Sequence, residues 1–378
     1  MTTIRRQAAI GSAWIRDGRR VVAALLAGVE GSAPLDPGSS MLIAEDGGIE
    51  GSITGGCVEA AVIDEARAVF AGGEARMVSY GISDELAGAV GLTCGGTVHI
   101  LVHELAGSAA EVYRVARDAI GEGRPVAIAT MLDGKRAGAK LAIVDGEAVG
   151  TLGGPPLLDH SVARDAAGML SQGITGVRRY GEDGAVLGAE LAVHVHSFAR
   201  PPQMLVFGAI DFSAALARMA REVGYEVTVC DPRAPFIRSP RFEEASEVLV
   251  AWPDEAFETL ALGSRDAVLV FTHDPKFDEP ALRCALASDV GYVGALGSRR
   301  TTTDRNRRLL ESGVSEEALE RLRAPCGLDI GGSTPEEVAI SVLAEIIALR
   351  SGRSGAPLRD GAAAIHPRAV DDLPAPSE

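Results

Sequence analysis

The chain reads as an α/β protein of two domains: a mixed α+β N-terminal half, and a C-terminal half built on a doubly wound parallel sheet. Three observations predict this. Its 378 residues exceed what one ordinary hydrophobic core serves, because single cores stop growing and long chains divide. Apolar residues make up 47% of the chain but aromatic residues only 4%, so the core is built from Ala, Val, Leu and Ile, as where helices pack on sheets. Beyond residue 203, short apolar strands alternate with helices, which is the pattern of parallel βαβ units.

Taken in order, residues 4–17 carry Ile4, Ala8, Gly11 and Ile15 on one stripe and predict an amphipathic helix, followed by the strand RRVVAALLAGV. A polar loop, EGSAPLDPGSS, feeds the strand MLIAE, a DGG turn, the stretch GSITGGCVEAA at 51–61 and a helix over about 58–70. Further strands are expected at 75–80, 97–104, 125–132, 140–144, 174–180 and 190–196, with helices near 109–121 and 157–171. No internal repeat is evident. The paired prolines of ARPPQ suit neither a helix nor a central strand, so 199–203 reads as a linker between a first domain, 1–198, and a second, 204–352. Residues 353–378 are rich in Pro, Ala and Gly without periodicity and read as a mobile tail.

Composition also excludes partners. A net charge of −16 repels a nucleic-acid backbone or an anionic lipid surface. The longest apolar run, VVAALLAGV, is far too short to span a bilayer, and the N-terminus has no secretory pattern, so a cytoplasmic protein is expected. The five cysteines at 57, 94, 230, 284 and 326 show neither zinc nor disulfide spacing and are expected to be reduced thiols.

Cys57 follows Gly55 and Gly56 at an expected helix start, where unpaired N–H groups and the helix dipole favour a thiolate, a nucleophile or soft metal ligand. Cys94 in GLTCGG has a similar setting, followed by Gly95 and Gly96. The opposing reading makes both small buried hydrophobes at turns that need glycine. His99 and His103 share one strand face, and His194 and His196 another; they read as the wet face of half-buried strands, with no metal site expected.

In the second half, LVFGAIDFSAALARMAREVGYEVTVCDPR has the skeleton of a Rossmann-like dinucleotide unit, with Asp231 ending the second strand where an acid bonds a ribose hydroxyl or else caps a turn. Of the G-x-G-x-x-G fingerprint only Gly208 remains; Ile210 and Asp211 stand where a phosphate would approach. This argues against NAD(P) and against the alternative of an NAD(P)-dependent oxidoreductase. Arg233 follows Asp231, Gly297, Ser298 and Arg299 open an arginine-rich helix suited to an anion, and Asp329, Gly331 and Gly332 precede a helix start marked by Thr334 and Pro335.

GSAPLDPGSSMLI, GSITGGCVEAAV, GLTCGG, YVGALGSRR and CGLDIGGSTPEEVAISVLAEIIA, in this order and spacing, resemble the XdhC/CoxI family of xanthine dehydrogenase accessory factors over about residues 10–350. The resemblance implies an N-terminal XdhC/CoxI domain and a C-terminal Rossmann domain. It implies a chaperone without turnover of its own that binds molybdenum cofactor (molybdopterin) and assists its sulfuration and insertion into a molybdenum hydroxylase, such as xanthine dehydrogenase or carbon monoxide dehydrogenase. A cysteine desulfurase and a second copy of the chain are further expected partners. Cys57 and Cys94 would be the reactive thiols; Gly55, Gly56, Glu59, Gly95, Gly96, Gly208, Asp231, Arg233, Gly297, Ser298, Arg299, Asp329, Gly331 and Gly332 would contact the cofactor. The chain departs from the family at Leu35, usually arginine, and at Ile210 and Asp211, usually a glycine and a histidine.

Overall fold

A computed structural model describes residues 2–31, 33–81, 96–186 and 190–361. The chain forms two compact units that divide between Arg200 and Pro201.

The first unit begins with α1 (Thr2–Arg16), β1 (Val21–Glu30), β2 (Ser40–Ala44), β3 (Ile49–Gly51), α2 (Glu59–Phe70), β4 (Arg76–Tyr80) and β5 (Thr97–Glu104). The same succession then returns as α3 (Ser108–Gly121), β6 (Val126–Met131), β7 (Lys140–Val144), β8 (Glu147–Thr151), α4 (Pro156–Gln172), β9 (Gly176–Tyr180) and β10 (Leu191–Phe198). Each set makes an antiparallel sheet, ordered β3-β2-β1-β5-β4 and β8-β7-β6-β10-β9, the same order displaced by five strands. Register repeats too: Leu25 pairs with Ser40 and Leu101, as Thr130 pairs with Lys140 and His194. The unit is therefore an internal duplication, contrary to the expectation of no repeat. Its plainest trace in sequence is GSITGG at 51–56 against GTLGG at 150–154.

Strand alternation explains the layering. Val22, Leu26, Ile100 and Val102 face α2, while Val193 and Val195 face α4. The opposite faces turn toward each other: Leu25, Met77 and Leu101 of one sheet meet Val177 and Ala192 of the other. At one end α1 and α3 are wedged in, Trp14 and Tyr113 against Ala23 and Leu42, and Val112 and Ala116 against Val126 and Ala142. This corrects the histidine reading. His99, His103 and His194 are buried, because the faces they share lie between two sheets and not against water.

The second unit runs β11 (Gln203–Phe207), α5 (Asp211–Glu222), β12 (Glu226–Cys230), α6 (Ala234–Ile237), β13 (Glu247–Leu249), α7 (Pro253–Thr259), β14 (Ala267–Val270), α8 (Pro275–Ala287), β15 (Tyr292–Ala295), α9 (Arg299–Glu311), α10 (Glu316–Glu320), β16 (Leu322–Arg323) and α11 (Pro335–Arg350). Its strands are all parallel, in the order β13-β12-β11-β14-β15-β16. That is the Rossmann order, with the chain reversing direction across the sheet between β11 and β14. Met204 and Val206 of β11 face α5 and α11; Leu205 and Phe207 face α7, α8 and α9. Most of the expected tail, 362–378, lies outside the described residues. No helix among the described residues is long and apolar enough to cross a membrane.

One contact pins the second copy of the duplication. Gly150 in β8 has φ +95, and a Cβ there would meet Val112 Cγ2 of α3 at 2.3 Å and Lys140 O at 2.6 Å. Gly150→Ala is expected to destabilise the first unit by about 2–4 kcal/mol, through backbone strain and overpacking together. A fall in the urea midpoint at unchanged m-value checks this.

Candidate functional site

The stretch that links β3 to α2 closes on one side chain. Glu59, the first residue of α2, accepts the hydroxyls of Ser52 and Thr54 and the N–H groups of Ile53, Thr54, Gly56 and Val58, at 2.6–3.1 Å. Gly55 N–H donates to Ser52 Oγ. Gly51, Gly55 and Gly56 have φ of +89, +78 and +117, a left-handed backbone that glycine adopts without strain and that turns the chain around the Glu59 carboxylate. Burial alone raises the Glu59 pKa, but the bonds from Ser52 and Thr54 outweigh it and hold the carboxyl down at about 2. The N–H groups expected to await an anion therefore already enclose one, supplied by the chain. Cys57 is half-buried two residues before the helix and packs, like Leu35, on the apolar cluster between β1 and α2.

The duplicate loop uses the same device. Asp159, in the first turn of α4, accepts Thr151 Oγ1 at 2.7 Å and Leu152 N–H at 2.9 Å. Pro155, immediately before α4, stands where Cys57 precedes α2 by two residues, so the second copy offers no thiol there.

In the second unit the candidate residues gather at the carboxyl ends of the parallel strands, where open α/β sheets bind ligands. Gly208 follows β11 with φ +110, and a Cβ there would lie 2.7 Å from Thr272 Cγ2, just beyond β14. Asp231 ends β12 and is fully buried; its Oδ1 accepts Arg233 N–H and Nε, and its Oδ2 accepts Ala209 N–H and Arg233 Nη2, at 2.7–2.9 Å. Burial raises its pKa, yet the Arg233 fork and the Ala209 N–H hold it below the ordinary carboxylate range. With both oxygens engaged twice, Asp231 ties down its own turn and leaves no lone pair for a ribose hydroxyl. Asp211, which would repel a phosphate, is paired by Arg241 at 2.6 Å.

At the end of β15, Gly297 has φ +148 and Ser298 caps α9 by accepting Thr301 N–H at 3.1 Å, with Arg299 exposed beside it. Asp329, Gly331 and Gly332 are exposed ahead of α11, whose start repeats the Glu59 pattern: Glu337 accepts the N–H groups of Ser333 and Thr334. Gly96 is buried just before β5, whereas Cys94 and Gly95 lie outside the described residues.

Sequence reasoning missed the buried pair beneath this edge. Arg305, 1% exposed, donates through Nη2 to Asp278 at 3.3 Å and to Leu296 O at 2.9 Å, while its Nε and Nη1 have no partner among the described residues. Thr272 Oγ1 donates to the other Asp278 oxygen. Among the charged helix residues of RRTTTDRNRR, the signal was periodicity: Arg305 falls on the Thr302–Leu309 stripe, the buried face of α9. At Cys326, beyond β16, burial, with Glu345 nearby, pushes the thiol up to about 12 and keeps it protonated. Among the described residues no three His, Cys, Asp or Glu side chains are placed to hold a metal ion.

A duplicated antiparallel unit joined in one chain to a parallel sheet of Rossmann order, whose strand-end acid is committed to its own turn, defines a distinct class of two-unit α/β protein. The chain belongs to the XdhC and CoxI family: that family's profile matches residues 14–81 and 110–181, and the profile of the XdhC Rossmann domain matches residues 204–346. It is 26% identical over 340 residues to a probable xanthine dehydrogenase subunit of Bacillus subtilis strain 168, covering 89% of this chain and 96% of that one. Over 336 residues it is 25% identical to the molybdenum cofactor insertion chaperone PaoD of Escherichia coli K12, covering 89% and 85% respectively. A crystal structure of a Bacillus halodurans protein, described as a xanthine dehydrogenase, superposes with a TM-score of 0.62 at 26% identity, over 93% of this chain and 98% of that one.

The carboxylate-closed loop has a pH signature. The Glu59 carboxyl is held at about 2, against an ordinary 4.5, so its stabilisation is complete above pH 4.5 and is lost as pH falls from there through 2. Glu59→Gln is expected to cost about 1–2 kcal/mol at pH 7, less than the full shift because the side chain is partly screened by water. The gap to the unmodified protein should close as urea melts are repeated down to pH 2.

Proposed function

We propose that the chain is an accessory protein that holds molybdenum cofactor in the cytoplasm, without turnover of its own, and assists its sulfuration and insertion into a molybdenum hydroxylase of the xanthine dehydrogenase or carbon monoxide dehydrogenase type. The observation that carries this reading is the likeness, over 89% of the chain, to a cofactor-insertion chaperone. A cysteine desulfurase as sulfur source and a homodimeric state rest on the family resemblance alone.

The residues suit such a ligand in kind. Molybdopterin offers a phosphate, a polar pterin and sulfur-bound metal, which call for N–H donors, guanidinium groups and a soft donor. Half-buried Cys57, with Gly55, Gly56 and Glu59, supplies a sulfur atom in a rigid loop, and Cys94, Gly95 and Gly96 are proposed to add a second. In the second unit Gly297, Ser298 and Arg299 present a helix N-terminus, and the orphaned Nε and Nη1 of Arg305 are unused donors beneath the same edge. Gly208, Asp231 and Arg233 shape the neighbouring turn, and Asp329, Gly331 and Gly332 complete the rim. The cofactor brings the redox metal that its client needs; the chain holds it, screens it from water and gives it up. Against the oxidoreductase alternative stands Asp231, whose carboxylate is already spent on Arg233 and Ala209.

Purification under anaerobic conditions from cells that make the cofactor is expected to yield molybdenum and pterin in equal amounts with the protein, and Cys57→Ala is expected to lose most of both. Absence of both from the unmodified protein would reject the reading, and full retention by Cys57→Ala would reject the role of that thiol. NAD and NADP at millimolar concentration are expected to leave the melting temperature unchanged.

A further inference from the structure

The two sheets of the first unit do not meet everywhere. Between them lies a cavity of about 570 Å³, within the range of small-molecule sites. Its walls include Leu25, Leu42, Leu105, Ile120, Ile128 and Phe198. Into this apolar space the second copy projects a row across three paired strands, His194, Thr130 and Lys140. Lys140 is 6% exposed, donates to Thr130 Oγ1 at 2.9 Å and makes no ion pair among the described residues. His194 is fully buried with neither ring nitrogen partnered among the described residues, and His103, reaching in from the first sheet, has an Nε2 likewise unpartnered among them. Buried cations and ring nitrogens without partners are costly, so a cluster of them facing one cavity calls for a partner that the described residues do not supply.

The duplication shows that the fold does not require them. By register, Ser40 stands in the first copy where Lys140 stands in the second, and Leu101 where His194 stands. The same strand pairing forms with a hydroxyl and a leucine. His103 and His196 are register equivalents, and both face the cavity.

We infer that this cavity is a binding site for a small organic anion, an apolar or aromatic body carrying one carboxylate, whose acid group is received by Lys140, Thr130 and the histidines. A carboxylate supplies the charge that Lys140 lacks and acceptors for the imidazole N–H groups. A bare inorganic anion would leave the apolar walls uncovered. A cation would meet Lys140. The site is independent of the molybdenum cofactor reading and uses none of its residues.

Protonation follows from the same geometry. Burial pushes Lys140 down to about 7, and burial together with the Lys140 charge pushes His103 and His194 down to about 3 and His196 to about 4. The other titratable or charged groups on the cavity are Tyr113 and Arg117 of α3 and Asp36 of the β1–β2 loop. A carboxylate beside Lys140 raises it again, so binding takes up a proton above pH 7 and almost none at pH 6.

The test titrates the full-length protein with 3-phenylpropionate, 3-phenylpropan-1-ol and inorganic phosphate by calorimetry, in two buffers of different ionisation heat. Phenylpropionate is expected to bind at least about tenfold more tightly than the alcohol, with uptake approaching one proton at pH 8, and phosphate more weakly than either. In Lys140→Met the preference for the acid over the alcohol should fall below about twofold and the proton uptake vanish, with no loss of thermal stability because an unpaired buried cation is gone. Equal binding of acid and alcohol, no proton uptake at pH 8, phosphate binding as tight as phenylpropionate, or an unchanged preference in Lys140→Met each overturns the proposal. If Lys140→Met does not fold, the acid-to-alcohol ratio and the proton uptake of the unmodified protein decide it.

Discussion

A glycine loop with successive left-handed residues aims its N–H groups inward, and those donors need an acceptor as surely as a buried carbonyl needs a donor. In this chain the acceptor is a carboxylate from the element that follows. Glu59 closes the loop into α2, Asp159 the loop into α4 and Glu337 the loop into α11, while Asp231 ties the turn after β11 to the end of β12. The bonds to Glu59, Asp159 and Glu337 each fix where a helix starts, and there the negative side chain is further favoured by the positive end of that helix. The sharp corners of both units depend on it, and so does the placing of Cys57 two residues from a helix start.

This arrangement alters what a glycine-rich sequence signifies. Paired glycines before a helix are commonly taken as an open cradle for phosphate. Here most of the donors in the cradle around residues 52–58 are turned onto Glu59, and Gly55 N–H onto Ser52 Oγ, so its rigidity precedes any ligand. Similarly Asp231, at the position of a ribose-binding acid, is a structural ligand of its own turn. The family match describes a chain built on a Rossmann-type frame, while the contacts at Asp231 account for how that frame persists without the usual glycines.

Much of the architecture was legible because it rests on strong periodic signals. Helix α11 is announced by Thr334, Pro335 and Glu337, and the capping box is present as those residues require. The alternation of β11, with Met204 and Val206 on one side and Leu205 and Phe207 on the other, also follows from its apolar run. The short strands β3, β8 and β16 were not foreseen, since two to five residues with glycine or charge carry little pattern. The duplication was hidden for a different reason: what it preserves is strand register, the glycines at 51 and 150 and the histidines at 103 and 196, while other equivalent positions hold leucine against histidine and serine against lysine. The histidines were misjudged because a strand's pattern tells which residues share a face but not whether another sheet covers it. In the candidate site the single residues were visible, Cys57, Asp231 and Ser298 among them, but their partners lie far off in sequence, as Arg305 does from Asp278.

The unequal residues of the duplicated unit have one more consequence. Two copies of one fold facing each other with identical linings would make a chamber whose ends are interchangeable, and an elongated guest could lie in it either way round. With Lys140 on one copy and Ser40 at the matching place on the other, the ends differ in charge. The chamber acquires polarity, and a guest with a single charged terminus has one heading in which to lie.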